Sequence, residues 1–219
     1  MAPLRTRVCL TVCLIGPECT GKTTLAERLS VLFGAPWVPE FAREYALLVA
    51  RPLTVDDVEP IARGQMALED ALQAGVGSRG SGVGGKFPVS DNRQPTTDNR
   101  SQISDPRPPT PDSRLIILDT DLISTVVYSR HYYGNCPEWI EREAEARKAD
   151  LYLLTDIDVP WTADDVRDTA AARDALHGQF ATTLANYGAN VITIGGDWET
   201  RFAAAVAVLS FRIGETPEG

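Results

Sequence analysis

Short apolar runs alternate with longer segments of helical periodicity along most of the chain. Each run has four to eight residues, and unbroken runs of this length are typical of strands buried on both faces of a parallel sheet. The alternation of such strands with helices predicts an α/β fold. The predicted strands span residues 8–15, 36–39, 115–119, 151–155 and 191–194.

Helical segments separate these strands. Because crossovers between parallel strands are right-handed, the helices should cover both faces of a five-stranded parallel sheet and form a three-layer architecture. The predicted helices are one ending near Phe33, one starting at Glu40, and those at 54–73, 122–132, 137–148, 171–187 and 198–211.

One segment, residues 75–114, does not fit this alternation. It consists largely of Gly, Ser, Pro, Asp, Asn and Arg, with too few apolar residues to form a core. The form x-Asp-x-Arg recurs there every seven residues, at Asp91, Asp98, Asp105 and Asp112. We therefore predict a single domain over residues 1–219 that is interrupted by a disordered, low-complexity insertion. An interaction tail is the alternative.

A glycine-framed loop lies between the first predicted strand and its helix. It fits the pattern G-x-x-x-x-G-K-[ST], in the strand–loop–helix context that this pattern requires. Backbone N–H groups and the helix N-terminus would hold a polyphosphate, Lys22 would contact its outer phosphates, and the Thr23 hydroxyl would bind Mg²⁺. The predicted ATP-binding residues are Gly16, Pro17, Glu18, Cys19, Thr20, Gly21, Lys22, Thr23 and Thr24. A chance turn is the alternative.

Two carboxylates lie at the end of the predicted strand 115–119. Asp119 ends the strand, where P-loop enzymes place an acid near Mg²⁺, so we predict that it binds the metal together with Thr23. Asp121 lies beyond the strand end and could face a second ligand. For one of the two acids, the alternative is a cap on the helix that begins at Leu122.

Two further polar segments follow predicted strands. Glu40, Arg43 and Glu44 share one helix face, at the sheet edge where ligands collect in open α/β folds. The loop after strand 151–155 contains Trp161 and Arg167, and a lid arginine would stabilise charge on a transferring phosphate. An exposed charge cluster and a surface ion pair of Arg167 are the alternatives.

The overall charge and the cysteines argue against several kinds of binding partner and metal site. A formal net charge of −9 argues against a nucleic-acid or anionic-membrane surface. The four cysteines have no metal-ligand spacing, which favours reduced thiols in a cytoplasmic protein. No apolar run is long enough to span a membrane.

In their order along the chain, these motifs resemble the NadR-type ribosylnicotinamide kinase domain, an AAA-like P-loop kinase. The motifs are residues 16–23, 40–44, Gln65, 119–121, 160–161 with Arg167, and 196–198. The resemblance extends over almost the whole chain outside 75–114. It implies a three-layer P-loop NTPase fold in a stand-alone kinase domain.

The resemblance also implies a reaction, namely transfer of the ATP γ-phosphate to the 5′-hydroxyl of nicotinamide riboside. A cationic nicotinamide ring suits an acidic pocket with an aromatic face. The implied catalytic residues are Lys22, Asp119, Asp121 and Arg167. The implied riboside-binding residues are Glu40, Arg43, Asp121 and Trp161.

Two other functions stay open. A kinase of another nucleoside or of a nucleotide would share the phosphate loop, and a nucleotide acceptor would need a further cationic clamp. Arginines available for that clamp are Arg43, Arg167, Arg173 and Arg201. An ATP-binding sensor would bind nucleotide without phosphorylating a small molecule.

Overall fold

The computed structural model describes residues 9–77, 115–158 and 170–214. Within these residues, five parallel strands form one sheet. The strands are β1 (Leu10–Ile15), β2 (Trp37–Val38), β3 (Leu115–Asp119), β4 (Leu151–Thr155) and β5 (Val191–Ile194). They lie in the order β2-β3-β1-β4-β5. The predicted three-layer α/β fold with a five-stranded parallel sheet is therefore confirmed.

Helices follow each strand, as the periodicity predicted. They are α1 (Lys22–Phe33), α2 (Phe41–Val49), α3 (Val58–Gly77), α4 (Leu122–Tyr133), α5 (Glu138–Ala146), α6 (Ala170–Asn186) and α7 (Trp198–Gly214). Thr54 caps a short 3-10 turn, Val55–Asp57, that leads directly into α3. None of the helices described is long and apolar enough to cross a membrane.

The end of α3 differs from its prediction. The helix continues to Gly77, whereas the sequence pattern predicted an end near Gln73 and an insertion from residue 75. Glycine lowers helix propensity by only about 1 kcal/mol, so a helix that is already formed can continue through it. The rest of the predicted insertion, residues 78–114, lies outside the described residues.

The two faces of the sheet bury separate apolar clusters. Cys13 and Ile15 of β1 pack with α3, α4, α5 and α6 on one face. Val12 and Leu14 of β1 pack with α1 and α7 on the other face. This alternation makes β1 the centre of the core. Leu14 lies opposite Asp119 in the β1–β3 register, so the end of β3 lies beside the loop that follows β1.

Candidate active site

The phosphate loop connects β1 to α1, and at two of its positions any side chain would clash with a neighbouring element. Gly16 has φ 140°, and a Cβ at this position would lie 2.6 Å from Oγ1 of Thr155. Gly21 has φ 82°, and a Cβ there would overlap the indole ring of Trp198. A side chain at either position would therefore displace the loop from β4 or from α7.

Side-chain hydrogen bonds hold the backbone of this loop in place. The carbonyl of Pro17 accepts hydrogen bonds from Thr20 Oγ1 at 2.8 Å and from Lys22 Nζ at 2.7 Å. Thr20 Oγ1 also lies 2.7 Å from Oγ1 of Thr155, which in turn donates to the carbonyl of Ile15 at 3.2 Å. These hydrogen bonds connect the loop to itself and to the end of β4.

Thr23 and Asp119 meet at the mouth of this loop. Thr23 Oγ1 donates to Asp119 Oδ2 at 2.6 Å. The other carboxylate oxygen, Asp119 Oδ1, is buried and has no hydrogen-bond partner among the described residues. Burial raises the pKa of Asp119, whereas the Thr23 hydrogen bond, Lys22 and Arg43 lower it. A buried, unpaired carboxylate oxygen beside a hydroxyl fits a hard cation such as Mg²⁺.

The donor set at this position is small. Among the described residues, no group of three or more His, Cys, Asp or Glu side chains could hold a metal ion. This matches the usual coordination of Mg²⁺, which combines one or two carboxylates with phosphate oxygens and water. Thr23 and Asp119 therefore suit a metal that arrives with a nucleotide.

Asp121 has a different environment. Its Oδ1 accepts a hydrogen bond from Ile123 N at 2.9 Å, which makes it the N-cap of α4. Its Oδ2 accepts from the Tyr152 hydroxyl at 2.6 Å. Burial raises the pKa of Asp121 to about 6. Asp121 therefore caps α4, as the helix-cap alternative allowed. Because each carboxylate oxygen can accept a second hydrogen bond, its predicted catalytic and substrate-binding roles stay predictions.

The backbone between the two acids explains their separation. Thr120 has φ 69°, a left-handed conformation that is rare for a β-branched residue. Its N–H still donates to the carbonyl of Leu14 at 3.0 Å, as a continuation of the sheet would. The chain therefore reverses its side-chain direction immediately after β3, and backbone strain of this kind is often found at functional sites.

Gln65 connects this turn to α2. Its Oε1 accepts a hydrogen bond from Phe41 N at 3.0 Å, at the first residue of α2. Its Nε2 donates to the carbonyl of Thr120 at 3.5 Å and to Glu69 Oε1 at 3.2 Å. Gln65 thus holds the start of α2 against the end of β3. The sequence pattern contained Gln65 only as part of a family resemblance, with no role attached.

Glu40 and Arg43 lie at the same sheet edge. Their side chains form an ion pair at 3.5 Å, in which Glu40 is mostly buried and Arg43 is 60% exposed. Burial raises the pKa of Glu40, while Lys22 and Arg43 lower it and Asp119 raises it further. The structure therefore brings Glu40 into the electrostatic environment of Lys22 and Asp119. The predicted exposed charge cluster describes Arg43 better than Glu40.

Two predicted site residues, Trp161 and Arg167, lie in residues 159–169, outside the described residues. Arg201, in contrast, lies next to the loop, and the sequence predicted it only as one of four arginines available to clamp a nucleotide acceptor. Its guanidinium donates to backbone carbonyls of three separate segments and pairs with Asp158. Residues so far apart in sequence leave no local motif, so only the fold reveals this contact.

Fold and site together define a P-loop protein with a nucleoside or nucleotide kinase-like fold. The sequence profile of the AAA domain family matches residues 11–80 and 98–201. This match covers more than half of the chain, and the chain belongs to the AAA domain family.

Curated relatives and solved structures extend this result. The chain is 21% identical over 212 residues to the trifunctional NAD biosynthesis/regulator protein NadR of Salmonella typhimurium (strain LT2), which covers 94% of the chain and 43% of NadR. NadR of Escherichia coli (strain K12) has the same identity and coverage. The chain thus spans less than half the length of these relatives.

Two solved structures share the fold. A crystal structure of NadR protein in complex with NR has a TM-score of 0.64 at 23% identity, and the match covers 97% of the chain and 54% of that chain. Thymidylate kinase from Candida albicans has a TM-score of 0.56 at 12% identity, over 93% of the chain and 92% of that chain. The resemblance to a NadR-type domain is confirmed at the level of family and fold.

Proposed function

We propose that the chain is an ATP-dependent kinase that phosphorylates the 5′-hydroxyl of nicotinamide riboside and forms nicotinamide mononucleotide in NAD biosynthesis. One observation carries this proposal. Thr23 Oγ1 and Asp119 Oδ2 are 2.6 Å apart at the mouth of the phosphate loop, and Asp119 Oδ1 is buried without a partner. The likeness to NadR supports the choice of acceptor.

The groups that would bind Mg-ATP are close together. Thr23 and Asp119 would hold Mg²⁺, which neutralises charge on the phosphates when it is bound. Lys22 donates to the carbonyl of Pro17 without nucleotide, and in our proposal it turns to the outer phosphates when ATP binds. Positioning and charge stabilisation account for most of phosphoryl-transfer catalysis, so these residues require no covalent role.

The acceptor would bind beside Glu40. This carboxylate is largely buried and lies within the field of Lys22 and Asp119. Its negative charge would attract a cationic nicotinamide ring, and Arg43 would hold it in place through the ion pair. Asp119 and Asp121, and after them Glu40, are the carboxylates that could accept the proton of the 5′-hydroxyl.

The test measures products directly. Purified full-length chain is incubated with Mg-ATP and a panel containing nicotinamide riboside, other nucleosides and nucleoside monophosphates, and ADP and phosphorylated products are quantified. We expect nicotinamide mononucleotide to form with the highest kcat/KM in the panel. Lys22→Ala should abolish product formation, and Lys148→Ala, a change distant from the loop in sequence, is the matched control.

Two results would decide against the proposal. Faster phosphorylation of another panel member would assign a different acceptor, as the shared fold of thymidylate kinase allows. ATP binding without ADP release for any acceptor would instead assign an ATP-binding sensor.

A further inference from the structure

Arg201 is a buried guanidinium in the first turn of α7. The residue is 1% exposed. Its Nη1 donates to the carbonyl of Thr20 at 3.2 Å, and its Nη2 to the carbonyl of Asp156 at 3.0 Å. Its Nε donates to the carbonyl of Gly196 at 2.8 Å. One side chain thereby joins the phosphate loop, the end of β4 and the turn before α7.

An ion pair completes this connection. Arg201 Nη2 contacts Asp158 Oδ1, and Asp158 Oδ2 accepts a hydrogen bond from Gly196 N. Burial lowers the pKa of Arg201, which means that the surroundings oppose its charge. A guanidinium is costly to bury unless its donors are satisfied. The chain nevertheless places it directly behind the phosphate loop.

The contact with Thr20 has a specific consequence for an anion. A backbone carbonyl that turned into the loop would repel a phosphate, so a phosphate-binding nest needs its carbonyls outside. Pro17 O accepts hydrogen bonds from Thr20 Oγ1 and Lys22 Nζ. Thr20 O has Arg201 as its donor. We expect Lys22 to exchange its hydrogen bond to Pro17 O for one to a phosphate, whereas Arg201 would keep its hydrogen bond to Thr20 O.

We infer that Arg201 is a positioning residue for nucleotide binding. It holds the carbonyl of Thr20 outside the phosphate cavity and fixes that loop to the β4 end and the β5–α7 turn. It acts through the backbone and does not touch the nucleotide. The inference rests on the proposed function only in taking Mg-ATP as the ligand, and it is independent of the acceptor.

The experiment measures nucleotide affinity separately from folding. Full-length chain and its variants are titrated with Mg²⁺ and a fluorescent N-methylanthraniloyl ATP, and thermal unfolding is recorded by circular dichroism. Arg201→Lys retains the charge but cannot reach all of the acceptors, and Asp158→Ala removes the ion pair from the partner side. Arg28→Gln is the matched control. Arg28 of α1 pairs with Glu199, which lies on the same helix as Arg201, and this ion pair does not involve the loop.

We expect Arg201→Lys to raise the Kd for the ATP analogue by roughly tenfold, the effect of losing about one hydrogen bond to a charged group. Asp158→Ala should raise it in the same direction, and Arg28→Gln should leave it unchanged. The KM for the acceptor should stay within about twofold in each folded variant.

If Arg201 has only a structural role, Arg201→Lys will lower the melting temperature and leave the Kd of the folded protein unchanged. That result would overturn the inference. If Arg201→Lys does not fold, an unchanged Kd in Asp158→Ala overturns it in the same way. Normal ATP binding without phosphorylation of any acceptor would contradict the proposed kinase function alone. No ATP binding by the unchanged chain would contradict both.

Discussion

At the scale of single residues, the most informative feature is the different environment of two aspartates that are two positions apart. From the sequence alone, Asp119 was predicted to bind the metal and Asp121 to bind substrate, with a helix cap as the alternative for one of the two. The positive φ of Thr120 decides between them, because it directs Asp119 to Thr23 and Asp121 to the N-terminus of α4. The residue pattern does not predict a threonine with positive φ, so the sequence could not show which of the two aspartates caps α4.

Substitution of the two aspartates should therefore have different effects. Asp119→Asn should reduce phosphoryl transfer by roughly a hundredfold or more, because it weakens the metal site, with little change in melting temperature. Asp121→Ala should lower the free energy of unfolding by about 1–2 kcal/mol, because it removes the cap of α4. Steady-state kinetics and urea unfolding measure the two effects.

The residual activity of folded Asp121→Ala is the decisive value for this assignment. If that variant lost turnover as completely as Asp119→Asn while its stability stayed unchanged, Asp121 would be a catalytic group and the cap would be incidental. Glu27→Gln, at an exposed position of α1, controls for nonspecific effects on the helix that follows the loop.

At the scale of elements, two buried carboxyls, Glu69 of α3 and Asp121 before α4, interact electrostatically. Glu69 is 5% exposed and accepts a hydrogen bond from Gln65 of the same helix. Burial and the nearby charge of Asp121 raise its pKa to about 7, while Gln65 and Arg147 lower it and Asp70 raises it. Among the described residues neither carboxyl has an ion-pair partner, so the packing of these helices depends on protonation.

This contact predicts how stability depends on pH. A carboxyl whose pKa is raised by folding binds more protons in the native state, so the free energy of unfolding falls as pH rises through the interval between the two pKa values. For Glu69 that interval runs from 4.5 to about 7. Glu69→Gln mimics the protonated form and should be more stable than the natural chain by roughly 2 kcal/mol at pH 8. At pH 5 the two should be nearly equal.

Thermal or urea unfolding between pH 5 and pH 8 measures this difference. Glu59→Gln is the matched control on the same helix, because Glu59 is half exposed and pairs only with Arg63. Equal pH profiles for Glu69→Gln and the natural chain would show that ionisation of Glu69 does not lower the free energy of unfolding.

Strands and helices themselves were largely predictable. Parallel strands buried on both faces form continuous apolar runs, and β4 was predicted with its observed bounds of Leu151–Thr155. The phosphate loop was predictable because its chemistry is contiguous in sequence. Gln65 and Arg201 were not, because each connects segments that only the sheet order brings together.

At the scale of the whole molecule, the segments on both sides of the repeat-rich segment share one core. Among the described residues, the two apolar clusters contain positions up to 72 and from 115 onward. The AAA domain profile also passes from residue 80 to residue 98 without matching the residues between them. Asp70 of α3 contacts Arg147, which lies shortly before the start of β4. Since β3 and β4 both pair with β1 in parallel, β3 starts at this same edge of the sheet.

This arrangement predicts that residues 78–114 are dispensable for folding and for nucleotide binding. Replacing them with about ten Gly and Ser residues should leave the melting temperature within a few degrees, because the closure entropy of such a Gly/Ser loop depends only weakly on its length. Deleting only 81–97 is the conservative version, and it should have no measurable effect. Circular dichroism and titration with the ATP analogue check both proteins. A cooperative loss of structure in the conservative deletion would mean that the repeat contributes to the core, and unchanged folding with altered affinity would mean that it reaches the nucleotide site.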